Sequence, residues 1–83
     1  MIALYLSNVE NAVGLFDTSD WGAMLRARRK KLGYTQEQVA EMMGCSARLI
    51  GDIERGKQTV GIQKVIDLTL GLGIDLYGIP RGE

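Results

Sequence analysis

Residues 35–57, TQEQVAEMMGCSARLIGDIERGK, leave this chain few ways to fold, because two helix patterns meet there across a single short turn at Gly44. Thr35 can cap a helix, Gln38 completes a capping box, and Val39, Ala40 and Met43 fall on one side at helical spacing. Gly44 is the residue best able to take a positive φ after a helix. Ser46 then stands ready to cap a second helix whose apolar side carries Ile50 and Ile53. So short a connection forces the second helix across the first at a steep angle. Ala47, Arg48, Leu49, Gly51, Asp52 and Arg55 are then expected to stay largely free of the core, and an exposed helix held at that angle fits a DNA major groove.

Through TQEQVA, the Gly-Cys-Ser turn, an isoleucine, IERGK and a following apolar helix, the chain resembles the Xre/Cro family of helix-turn-helix regulators over roughly residues 19–72. Its tail, KVIDLTLGLGIDLYG, is similar to that of HipB-like antitoxin repressors, in which a short strand follows the helical domain. The resemblance implies a mostly α, lambda-repressor-like helix-turn-helix domain of four to five short helices, with a short C-terminal strand in a dimer sheet. Residues 1–17 would then be an N-terminal arm, 18–72 the DNA-binding domain, and 73–83 a dimerising strand and tail. The length of 83 residues suits one small domain and not two separate cores.

The net charge of zero hides a division along the chain. Residues 26–57 carry eight basic and four acidic side chains, a net +4, and the remainder carries −4. A basic centre of this kind attracts phosphate, while the acidic flanks weaken non-specific binding. No apolar run approaches bilayer length, and the N-terminus lacks the pattern of a signal peptide, so a cytoplasmic protein without membrane contact is expected. Cys45 is the single cysteine and the chain has no His, which removes zinc-finger and His-based catalytic sites. Cys45 reads as small turn filler. With no nucleophile-elbow or phosphate-loop pattern and no carboxylate cluster on a shared face, neither an enzyme nor a cofactor is expected.

Before the motif, residues 1–6 alternate too weakly to choose between a strand and an apolar arm. Thr18 or Ser19 can cap a first helix from about Asp20 to Leu32, with Trp21, Leu25 and Leu32 on its apolar stripe and Gly33 ending it. The RARRKK run at its end suits either a solvated terminus or phosphate contact, and the family resemblance pairs Arg29 with Glu54 as a structural ion pair. A fourth helix is expected from about Gly61 to Leu70, burying Ile62, Val65, Ile66 and Thr69. Ile74, Leu76 and Ile79, interleaved with Asp75, Tyr77 and Gly78, suggest a strand that Pro80 stops. Its partner would be the same strand of a second protomer or residues 1–6.

The resemblance also distributes roles along the motif. Ala47, Arg48 and Asp52 fall at base-reading positions, with Leu49 at the edge. Gln36, Ser46, Arg55, Lys57 and Thr59 fall at backbone-contact positions, and Ile74, Leu76, Tyr77 and Ile79 at the dimer contact. Arg48 is the main candidate reader, since its planar fork can bond guanine O6 and N7 together, or it can reach a phosphate. Ala47 offers only a methyl, and Asp52 suits cytosine N4 or the exclusion of wrong sequences. The chain is therefore expected to be a homodimeric repressor on a palindromic operator in double-stranded DNA. The HipB-like tail implies an antitoxin that autoregulates its operon and binds a HipA-like kinase toxin; the alternative is a stand-alone Xre-type regulator.

Overall fold

In the computed structural model, which describes residues 11–82, three of the four α-helices among the described residues start at a side-chain cap. Helix α1 spans Thr18–Leu32, α2 Gln36–Met43, α3 Ala47–Glu54 and α4 Ile62–Gly71. Asp17 accepts the Asp20 amide at 2.9 Å and so caps α1. Helix α1 therefore begins ahead of the expected start, because Asp17, an acceptor as good as the Thr18 or Ser19 assigned that task, precedes both. Thr35 and Gln38 form the full capping box at α2, and Gly33 and Gly44 end α1 and α2 with φ of 82° and 69°. Helix α4 follows Gly61, which provides no side-chain cap.

The core is one cluster drawn from every helix: Leu25, Val39, Ala40, Ile50, Ile53, Leu68 and Leu72. Helix α3 packs against both α2 and α1. Helix α4 is tied to α1 by a polar thread: Trp21 Nε1 donates to Thr69 Oγ1 at 2.8 Å, and Thr69 donates to the Val65 carbonyl at 2.6 Å. Arg28 Nε donates to the Leu72 carbonyl at 2.8 Å, filling an acceptor at the C-terminal end of α4.

Three expectations are corrected. Leu32 is 40% exposed although it shares the face of Leu25, since seven residues carry it about 10 Å along the helix, past the end of the core. Ile62 is 60% exposed at the first position of α4, whose buried residues, Leu68 and Thr69, come nearly two turns later. Residues 74–80 have no regular secondary structure, so the strand over Ile74, Leu76 and Ile79 is not formed among the described residues. A strand exists only through pairing with a neighbour; one candidate neighbour, residues 1–6, lies outside the described residues.

Candidate nucleic-acid interface

The geometry of α3 is set at both of its ends. At its start, the Gly44 and Cys45 amides turn the chain by donating to the carbonyls of Glu41 and Ala40, and Ser46 Oγ accepts the Leu49 amide at 3.1 Å. At its end, Gly22 of α1 lies so close that a Cβ there would stand 2.6 Å from the Glu54 carbonyl oxygen and nearer still to that of Ile53. The turn beyond α3 touches α1 as well: Thr18 Oγ1 donates to the Gly56 carbonyl at 2.7 Å, and Gly56 has φ of 78°.

Beneath this, one buried carboxylate collects several elements. Arg29 on α1 donates to Glu54 on α3 through Nε at 2.6 Å and Nη2 at 3.0 Å, and through Nη1 to the Tyr34 carbonyl at 2.8 Å. Gln36, the first residue of α2, donates to Glu54 Oε1 at 3.1 Å. Burial pushes the Glu54 carboxyl up, but hydrogen bonds from Arg29 and Gln36 and the charges of Arg29 and Arg26 outweigh it, so its pKa lies below the ordinary value. Hydrogen bonding to Glu54, opposed by burial, holds Arg29 firmly protonated.

The outward side of α3 is narrower than its sequence suggests. Ala47 and Leu49 are half-buried against the core, which corrects the expectation that they stay free of it, while Gly51 is buried with the Arg55 guanidinium nearest to it. What remains is a row at helical spacing: Arg48 exposed, Asp52 half-buried and Arg55 exposed, with Lys57 exposed beyond the helix. Asp52 accepts from Arg55 Nη2 at 2.6 Å and stands 3.6 Å from Lys57 Nζ. Ser46 and Thr59 are exposed at the two margins and Gln36 is half-buried. Of the basic centre, Arg28 and Arg29 are committed inward, while Arg26, Lys30, Lys31, Arg48, Arg55 and Lys57 are exposed. Among the C-terminal residues, Ile74 and Leu76 are half-buried and Tyr77 and Ile79 exposed.

Sequence reasoning missed Gly22 and the Arg28 cap. A glycine in mid-helix was a usable signal for the first, since only close approach repays its propensity cost. Nothing local marks the second, because Arg28 and Leu72 meet only after folding. No group of metal-ligating side chains occurs among the described residues, and none of their helices is long and apolar enough to cross a membrane.

The helix-turn-helix family model matches residues 25–79. The chain is 40% identical over 60 residues to y4mF of Sinorhizobium fredii, an uncharacterised HTH-type transcriptional regulator, covering 70% of this chain and 79% of that protein. It is 50% identical over 38 residues to YazB of Bacillus subtilis, which carries the same description; that match covers 46% of this chain and spans only 55% of YazB. The fold is similar to that of the restriction-modification controller protein C.AhdI from Aeromonas hydrophila, with a TM-score of 0.62 and 30% identity over 71% of this chain and 86% of that one.

Proposed function

We propose, because this chain belongs to the helix-turn-helix family, that it is a DNA-binding transcriptional regulator, not an enzyme, and that it represses as a homodimer on a near-palindromic operator. The observation that carries the reading is Arg48, exposed on a helix held at its start by the turn bonded back to α2 and at its end by the close approach of α1, in a row with Arg55 and Lys57. A guanidinium so placed can bond guanine O6 and N7 together, worth about 1–3 kcal/mol of discrimination. Ala47 contributes at most a methyl contact, and Gln36, Ser46, Arg55, Lys57 and Thr59 set register through phosphates. Arg48→Ala is expected to relax preference at one or two base pairs with helical content unchanged. Sequences selected from random duplexes test this, and a profile identical to that of the wild type would remove Arg48 from base reading.

One such helix reads few base pairs, so specificity calls for two half-sites about one helical turn apart and a two-fold protein. In this reading residues 18–72 bind DNA, 1–17 form an arm, and 73–83 dimerise through Ile74, Leu76, Tyr77 and Ile79. Support comes from large apolar side chains at least half exposed in the tail, Tyr77 and Ile79, and on α4, Ile62 and Leu70. Removing residues 74–83 is expected to give a monomer that binds operator weakly; a shortened chain that still sediments as a dimer would move the interface elsewhere.

The HipB-like tail favours an autoregulating antitoxin with a HipA-like kinase as its partner. The relatives named as transcriptional regulators and a restriction-modification controller favour a stand-alone regulator. Capture of the tagged protein from its native lysate separates the two. A stoichiometric kinase together with the protein's own promoter DNA supports the antitoxin; promoter DNA without a protein partner supports the regulator.

A further inference from the structure

Asp52 stands in the outward row of α3, where base reading was expected of it, yet both of its oxygens face cations of the same chain. Its side chain is 17% exposed; Oδ1 accepts from Arg55 Nη2 at 2.6 Å and Oδ2 stands 3.6 Å from Lys57 Nζ. Arg55 reaches it by folding back over α3 across Gly51. A Cβ at Gly51 would stand 3.0 Å from Arg55 Nη1 and 3.7 Å from Cζ, and the nearest atoms it would meet all belong to that guanidinium. Glycine inside a helix costs about 1 kcal/mol relative to alanine. Gly22 has a helix backbone against it to explain that cost; Gly51 has the Arg55 side chain.

We infer that Asp52 is an internal competitor of phosphate: its carboxylate holds Arg55 and Lys57 in the free protein, and a DNA phosphate must displace it to receive them. The inference rests on the DNA-binding reading above and moves Asp52 from base reading to control of backbone affinity. Sequence-independent binding comes almost wholly from neutralising phosphates, so a carboxylate that occupies two of the cations lowers it. Gly51 belongs to the device, because a methyl there would crowd the guanidinium, 3.0 Å from its Nη1, and make it give way where it reaches Asp52.

The test titrates a mixed-sequence duplex about two helical turns long, between about 50 and 200 mM salt, with the full chain and its variants. Asp52→Asn removes one negative charge, equivalent to about one more phosphate neutralised: a slope steeper by about 0.9 and, near 0.1 M salt, affinity about eightfold higher. Gly51→Ala is expected to move affinity the same way by a smaller factor, and it keeps the test open should Asp52→Asn unfold. Both gains are expected to vanish when Arg55 and Lys57 are already Ala. A gain that survives there would be a general charge effect and would overturn the inference. So would an unchanged slope, or a changed base preference without a change in slope. A wild-type chain that holds no duplex at the lowest salt would overturn the DNA reading itself and this inference with it, a result distinct from binding with no response to Asp52→Asn.

Discussion

Gly22→Ala is expected to lower the melting temperature by about 10 °C or more. The added Cβ meets the carbonyl oxygens of Ile53 and Glu54, which are backbone and cannot turn aside. Helices α1 and α3 must part to admit it, at a cost of about 1–3 kcal/mol or more that the gain in helix propensity does not offset. Gly51→Ala is the internal control, because its Cβ meets only the mobile end of Arg55 and the gain in propensity is retained. Thermal melts followed by circular dichroism compare the two. A Gly22→Ala chain melting with the wild type would mean that α1 and α3 do not depend on that close approach. Since α3 carries Arg48, the same variant is expected to lose DNA affinity in step with stability.

Arg29→Ala is expected to remove about 3–5 kcal/mol, because it leaves the Glu54 carboxylate buried with Gln36 as its remaining side-chain donor. For a domain whose total stability is of order 5–15 kcal/mol, that loss is severe. Replacing both partners, as in Arg29→Met with Glu54→Leu, is expected to recover most of it, since no charge is then stranded. Urea denaturation at neutral pH measures both, and a double variant as unstable as the single one would show that the hydrogen bonds, not the stranded charge, carry the cost.

The same pair gives the domain an acid limb. The folded pKa of Glu54 lies below its ordinary value of 4.5, so the unfolded chain binds the proton more readily as pH falls. The pair's contribution is full above that value and is lost as pH drops through the lower, folded one. Glu54→Gln is expected to flatten this limb, and a variant that keeps the wild-type acid profile would assign it to other carboxylates.

The parts of this protein legible in its sequence are those in which cause and effect lie within a turn or two of each other. The Thr35–Gln38 capping box, the Ser46 cap and the left-handed glycines at positions 33 and 44 form as their local chemistry dictates. The apolar spacing of α2 and α3 likewise marked Val39, Ala40, Ile50 and Ile53, all of which are buried. Periodicity names a face but not where along the helix the core ends, and for that reason Leu32 and Ile62 lie in the expected stripe yet outside the core.

Sequence alone therefore determined a helix-turn-helix unit: caps, turn and buried faces follow from bonds and sterics among near neighbours. Tertiary structure decided what the charges and glycines do. Arg28 is spent on the end of α4, Asp52 on Arg55 and Lys57, Gly22 on the approach of α3 and Gly51 on a guanidinium. Long side chains reach several partners from one position, and a glycine's missing methyl has meaning only through what fills its place. Only assembled helices supply those neighbours.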